Sequence, residues 1–324
     1  MIAVLLLAAD APLRDFFTSA VLLATLASAI RLATPYLLAS LGETLGQKSG
    51  VLNLGVEGVM LLGAFVGYWT VLETKNAWLG AGAGLLVGAV MGLVYAVITV
   101  NMQAEQGISG IGIFLFGLGA SELLFSEVVG TPLPLGAKFD PVALPLLSKI
   151  PKVGDVLFNQ NVVVYFGVAM VFVMTWVLNN TSFGLNVRAV GETPEAADSL
   201  GVSVAKIRYT TIIIANMFAG LAGAALALEL NIFQNNLTNG IGFIAVALVY
   251  FGGWKPSGVL YGSLLYGLVT ATVNQLKTLG IVSGAAASLA TTAPAVLTVL
   301  ALALIARRAA NPPAALTVPF TRGH

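Results

Sequence analysis

Gly50-Val51-Leu52-Asn53-Leu54-Gly55-Val56-Glu57-Gly58 sets three glycines, an amide and a carboxylate between apolar runs, in a chain of which only 9% is charged. In a soluble domain, nine such residues would form a turn beside a weak strand. The flanks are too apolar for that: from residue 51 to residue 72 the one charged side chain is Glu57. A carboxylate facing lipid costs about 2.5 kcal/mol or more, so Glu57 is expected to face a protein interior or a water-filled path. The glycines let a helix break, or let another backbone approach, as happens where helices are interrupted around a solute path. A plainer reading stands beside it, in which the stretch is a Gly-rich helix start and its polar groups only cap that helix.

The surrounding composition agrees with a membrane setting. Of the 324 residues 58% are hydrophobic and the mean hydropathy is +0.93, whereas a soluble domain carries roughly 25% charged residues. The chain is therefore expected to be an all-α, polytopic transmembrane bundle forming a single domain over 1–324. A net charge of +1 with no basic stripe argues against a nucleic-acid surface. No Cys is present and the lone His is His324, which excludes disulfides, thiolate chemistry and any His-based metal site. The first ten residues have an apolar core with no Lys or Arg before it, so a cleaved signal is not expected and a short membrane-surface lead-in is.

About 20 mainly apolar residues cross the hydrocarbon. Spans are expected near 16–41, 51–72, 79–100, 108–129, 161–179, 209–229, 240–251, 257–276 and 289–305. The seventh is too short to cross alone. The first is interrupted by Arg31 and Pro35 and is expected to be broken there, which gives eight to ten segments, including short or broken ones. Gly80, Gly84, Gly88 and Gly92 recur at a four-residue spacing that favours backbone-to-backbone helix packing, and Gly258 and Gly262 open the eighth span similarly. Both halves run from a polar Gly break (Asn53 to Gly58; Asn239 to Gly242) into a Gly-spaced helix, a hint of an internal repeat.

Two polar excursions stand out. Residues 130–160 hold five prolines with Lys138, Asp140, Lys149, Lys152 and Asp155, and form an aqueous loop. Residues 180–208 are the most charged region. There Thr193 is placed to cap a helix with Pro194 at its first position and Glu195 in its first turn, and Gly201 is placed to end it. Counting crossings puts 180–208 and the C-terminal tail on one side, with Lys48, Arg188, Lys206, Arg208, Lys255, Arg307, Arg308 and Arg322. Five Lys lie opposite: Lys75, Lys138, Lys149, Lys152 and Lys277. That eight-to-five bias makes 180–208 and the C-terminus cytoplasmic and 130–160 extracytoplasmic.

Glu195, Ala196, Ala197 and Gly201 resemble the E-A-A-x-x-x-G cytoplasmic loop of ABC-importer permeases, a short helix that docks in a groove of the ATP-binding subunit. The wider likeness covers nearly the whole chain. G-E-T-L-G-Q-K-S-G-V-L-N-L-G-V-E-G-V-M-L-L-G-A-F-V-G, R-A-V-G-E-T-P-E-A-A-D-S-L-G-V and F-G-G-W-K-P-S-G-V-L-Y-G look like the branched-chain amino acid and monosaccharide type of permease, nearest its nucleoside or simple-sugar branch. Ribose members of that family have G-I-D-L-S-V-G where this chain has G-V-L-N-L-G-V-E-G. The resemblance implies a membrane permease subunit of an ATP-driven importer in the inner membrane, taking up nucleosides. It also implies a second, related or identical permease, two ATP-binding subunits, an extracytoplasmic receptor and coupling through Thr193, Pro194, Glu195, Ala196, Ala197 and Gly201.

No catalytic site emerges. Gly42-x-x-x-Gly46-Gln47-Lys48-Ser49 lacks the spacing and the strand–loop–helix context of a phosphate loop, so no cofactor is expected in this chain; ATP and Mg belong to the partner ATPase. A neutral, hydroxyl-rich solute suits a path of amides and few carboxylates. Asn53, Glu57 and Asn216 lead the candidates, followed by Gln234 and Asn274, with Phe114, Phe116 or Trp254 able to stack on a base. Glu43 and Glu122 are expected to pair with Arg31 or to line the path. Other readings stay open: a sugar or branched-chain amino acid permease, an ion-coupled secondary carrier, and a channel or scaffold subunit. A carrier would want more mid-membrane ionisable residues than Glu57 and Glu122.

Overall fold

Thr18 starts the first helix by accepting the Val21 N–H, and α1 then runs unbroken from Ser19 to Lys48. The computed structural model describes residues 15–129, 136–145, 147–151, 153–294, 296–297, 300 and 312–322. The break expected at Arg31 and Pro35 does not occur. Pro35 removes one backbone bond, but it is buried, and packing neighbours let a Pro-containing span stay helical.

After Lys48 the chain does break. Gly50 takes a left-handed conformation at φ +89, residues 51–55 are non-helical, and α2 (Val56–Thr74) begins one residue before Glu57. Next come α3 (Ala77–Ala96), extended by a π-turn over Val97–Asn101, and α4 (Gln106–Val128). The Pro-rich region contains a two-residue antiparallel pairing of β1 (Val142–Ala143) with β2 (Asn159–Gln160) and the short α5 (Val153–Leu157). The remaining helices are α6 (Val162–Asn180), α7 (Ser182–Glu192), α8 (Pro194–Ser199), α9 (Val204–Leu230), α10 (Ile241–Phe251), α11 (Pro256–Thr278) and α12 (Gly284–Ala290).

Six of these helices are long and apolar enough to cross a membrane: α1, α2, α3 with its π-turn, α4, α6 and α9. By that measure the expected eight to ten are not reached among the described residues. α10 has 11 residues, and α11, with 23 residues, is not among the six. Eight of the 17 residues of the expected ninth span, 289–305, lie outside the described residues, as do the N-terminal lead-in, Lys152, Arg307 and Arg308.

α9 is the axis of the bundle, buried over 83% of its most apolar window. The Gly80–Gly92 stripe packs on it and on α2, as the spacing predicts. A Cβ at Gly88 would run into the Asn216 carbonyl, and one at Gly84 would sit 2.8 Å from the Gly220 carbonyl. With no Cβ in the way, α3 reaches the α9 backbone and dispersion contacts hold the pair without help from water exclusion.

Candidate functional site

Glu57 joins the two polar breaks. It is 1% exposed, and its carboxylate accepts the Thr238 hydroxyl, the Gly240 N–H and the Gly242 N–H, each at 2.6 Å. Gly240 precedes α10, so the carboxylate from α2 satisfies donors at the start of another helix and sits near the positive end of its dipole. It also lies in the first turn of α2 itself. The two stretches that sequence alone paired as a repeat thus meet at one charge.

Beside this joint, Asn53 donates to the Asn216 amide oxygen at 2.9 Å while its own oxygen accepts the Gly55 N–H. Asn216 completes its set by donating to the Ile212 carbonyl. Both amides are buried, at 3% and 1% exposure. Asn53, Glu57 and Asn216 therefore lie close together and carry mutual or backbone partners. The other candidates scatter. Gln234 and Asn274 are exposed, as is Phe116. Phe114 packs edge-on against Phe243 at 5.1 Å. Trp254 is buried and donates from its indole nitrogen to Gln47 at 2.9 Å.

The pairing expected for Arg31 is different from that observed. Its guanidinium meets Glu229 at 3.1 Å, and Asn161 donates to the second Glu229 oxygen at 2.8 Å. Glu43 instead accepts from Gln47 within α1, and Glu122 accepts from Asn235. Each of those carboxylates finds an amide nearer than Arg31. Arg31 and Glu229 border a cleft of about 200 Å³ whose polar lining includes Thr25, Ser28, Asn274 and Gln275.

At the opposite end stands the charged loop. α8 begins with Pro194 at its first position, as expected, and ends as Gly201 turns through φ +85, with the Val202 N–H bonded to the Ala197 carbonyl. The Thr193 side chain makes no capping bond, because Pro194 fixes the entry and Thr193 takes φ −143, ψ 78. Pro194 and Ala197 are buried and seat the helix, while Glu195, Ala196 and Ser199 face out. Leu200 is 86% exposed.

The C-terminal segment lies along this same end. The Ala315 N–H donates to Gly191, the Thr317 N–H donates to Gly50, and Arg322 pairs with Asp198 of α8 at 3.0 Å. Arg208, 3% exposed, bridges the Ser49 carbonyl and the Val318 carbonyl. Arg208 and Glu229 are 21 residues apart on α9, so the two ends are separated by roughly 32 Å along its axis at 1.5 Å per residue. The 180–208 loop and the C-terminal segment thus share one face, and the cleft opens at the other.

The family described as "Branched-chain amino acid transport system / permease component" matches residues 25–307. The chain belongs to that family. It is the permease subunit of an ABC transporter, a multi-pass membrane protein whose part is translocation and not catalysis. The permease is 32% identical to the guanosine ABC transporter permease NupQ of Bacillus subtilis over 90% of its own length and 94% of that protein. It is 32% identical to the nucleoside ABC transporter permease NupC of Lactococcus lactis, covering 87% and 92% of the two chains. A putative glucose ABC transporter permease of Haloferax volcanii is 39% identical over 75% of the permease and 74% of that relative. No solved structure matches.

Two features of the permease are not marked in its sequence. The Arg31–Glu229 pair spans 198 positions, and nothing local signals it. The docked C-terminal segment is irregular chain, turned over residues 314–317, with backbone bonds to Gly50 and Gly191; the glycine at position 50 is the one visible sign that another backbone comes near.

Proposed function

We propose that this permease imports nucleosides as the membrane subunit of an ATP-driven complex. Two ATP-binding subunits, which hold the ATP and Mg, dock on the face carrying Thr193, Pro194, Glu195, Ala196, Ala197 and Gly201. That face is cytoplasmic and so is the C-terminus; an extracytoplasmic receptor delivers solute at the other end, near 130–160. A second permease, related or identical, completes the pore within the lipid. Asn53, Glu57 and Asn216 form its closed constriction, where amides and one fully bonded carboxylate suit an uncharged, hydroxyl-rich solute.

The observation that carries this reading is the exposed α8. A six-residue helix seated through Pro194 and Ala197, with Glu195, Ala196 and Leu200 turned to solvent, offers a knob to a partner and has no use in a carrier working alone. Lys48 lies near Arg188 and Lys255 at the same end, which fits a cytoplasmic face. The nucleoside relatives support the substrate class and cover the permease more fully than the glucose relative does.

The test is reconstitution in proteoliposomes with the ATPase and receptor, measuring uptake of labelled nucleoside with and without ATP. ATP-dependent uptake is expected. Uptake by the permease alone on an ion gradient would instead establish the carrier reading.

A further inference from the structure

We propose that the non-helical descent from Asn231 to Gly240 is the outer wall of the solute path, where Gln234, Asn235, Asn236, Asn239 and Glu122 meet the nucleoside across from the second permease before it reaches Glu57. This deepens the transport reading and rests on it.

The depth of the segment follows from its two ends. Glu229, just before it, pairs with Arg31 at the outer end of α9. Gly240, at its close, donates to Glu57. From there the 11 residues of α10 run about 16 Å toward Trp254, which donates to Gln47 at the Lys48 end of α1. In the other direction α2 continues from Glu57 to Thr74, about 26 Å along its axis. The Glu57 joint thus lies within the depth of a bilayer whose hydrocarbon is about 30 Å thick. Residues 231–240 descend to it from the outer end without forming a helix.

One side of the descent is anchored to protein. Phe233 is buried and meets Phe65 of α2 at 5.6 Å and Phe125 of α4 at 5.0 Å. Leu237 and Thr238 are buried below it. The other side is polar and open: Gln234, Asn235, Asn236 and Asn239 are exposed, and Glu122, exposed on α4, accepts from Asn235 at 2.7 Å. Irregular backbone at this depth persists only inside protein or beside water, and a carboxylate against lipid is costly. Lipid therefore does not cover this side. Turn geometry accounts for two of the amides, since Asn236 and Asn239 take left-handed φ values of +54 and +42 that asparagine tolerates. It does not account for Gln234 and Asn235, neither of which has a positive φ, nor for Glu122 inside a helix.

A carboxamide donates and accepts at once, and a carboxylate accepts hydroxyls, so this wall offers partners both to sugar hydroxyls and to the edge of a base. At its foot Phe243, next to the Gly242 that bonds Glu57, is 39% exposed and edge-on to Phe114, a ring on which a flat base can stack. The wall lies on the outside of one bundle, so the path is complete only with the second permease opposite.

The permease has no Cys, so a single cysteine placed in the full complex reports its own surroundings. Gln234→Cys at the top of the wall and Phe243→Cys at its foot serve as probes, neither position having a left-handed φ. Leu86→Cys, 69% exposed on the apolar α3, is the lipid-facing reference. A charged methanethiosulfonate attacks the thiolate, which lipid suppresses, so during ATP turnover both probes are expected to react at least about 10-fold faster than Leu86→Cys. Saturating guanosine or uridine, one purine and one pyrimidine nucleoside, is expected to slow both reactions several-fold. Gln234→Ala combined with Asn235→Ala is expected to raise the half-saturating nucleoside concentration for uptake several-fold and leave the thermal midpoint unchanged, a split that a merely structural role would not give. Probes as unreactive as Leu86→Cys in a complex that takes up nucleoside would overturn the wall and leave the transport reading standing; so would labelling that neither nucleoside slows, or wild-type half-saturation in the double alanine variant. A wild-type complex that hydrolyses ATP and moves neither nucleoside would overturn the transport reading itself.

Discussion

Arg322, in the C-terminal segment, reaches Asp198 in the last turn of α8, with the guanidinium 3.0 Å from the carboxylate. The segment's other bonds, to Gly50, Gly191 and Arg208, tie it to the end of α1, to α7 and to α9. The ion pair itself contributes little: Arg322 is 81% exposed, and such pairs are worth about 0–1 kcal/mol. Arg322→Ala should therefore leave ATPase association within twofold. Truncation after residue 311 removes all the backbone bonds at once and strands the buried Arg208 without Val318. It should lower the thermal midpoint by several degrees and weaken ATPase binding at least fivefold, while membrane insertion persists. Co-purification with the ATPase and a melting curve in detergent check both. Equal effects of the two changes would show that the segment acts through Arg322 alone.

Gly201 sits at φ +85 with nothing within 4 Å of where a Cβ would stand, so a side chain there is strained by conformation and not by crowding. Gly201→Val should destabilise the end of α8 by about 1–2 kcal/mol, enough to tilt the knob without unfolding a bundle whose core lies elsewhere. Insertion should be normal and transport-stimulated ATP hydrolysis reduced. Glu195→Ala, on the exposed side of the same helix, should reduce coupling with no change in stability. Unchanged coupling in both variants would remove α8 from the docking surface.

Much of this arrangement is legible in the sequence because its causes are local. Pro194 and Gly201 mark the two ends of α8 whatever surrounds them, the Gly80–Gly92 spacing names a helix face, and the apolar runs mark out the six spans. What sequence does not disclose depends on partners distant in the chain. Pro35 reads as a break, yet α1 runs through it as one helix with neighbours packed around it. Glu43 and Glu122 read as mates for Arg31 or as path-lining groups, but folding brings Glu229, at the far end of α9, beside Arg31 instead. Thr193 reads as a cap, and Pro194 makes that bond unnecessary.

Glu105 offers a pH-dependent readout outside the membrane. Its carboxylate caps α4 by accepting the Gly107 and Ile108 N–H groups, and those bonds hold its pKa below the ordinary carboxylate value. Because the folded value is lowered, the cap is fully effective above the unfolded value of about 4.3 and is lost as pH falls through the lowered one. Amide-exchange protection at Gly107 and Ile108, corrected for intrinsic rates, should be flat from about pH 7 to 5 and fall below about pH 4. Glu105→Ala should abolish that step and leave protection low throughout. A step that persists in Glu105→Ala would assign it to another group.

Glu57 fastens the start of α2 to the start of α10. Three donors converge on it at 2.6 Å in a site 1% exposed. Glu57→Ala would leave the Thr238 hydroxyl and two backbone N–H groups unsatisfied at about 1–3 kcal/mol each, so a loss of at least about 3 kcal/mol is expected, with α10 detached from the start of α2. Glu57→Gln keeps the shape but removes the charge that the two helix N-termini favour, and replaces one acceptor with an NH2 that must face a donor. It should cost roughly 1–3 kcal/mol, less than the alanine variant. Glu57→Asp retains the charge and shortens the reach by one methylene, so it should break one of the three bonds and fall nearest to wild type. Thermal unfolding of the purified permease ranks the three. An order of Asp, Gln, Ala from most to least stable supports a charge-centred joint, whereas a Gln variant more stable than the Asp variant would make the joint a matter of shape alone.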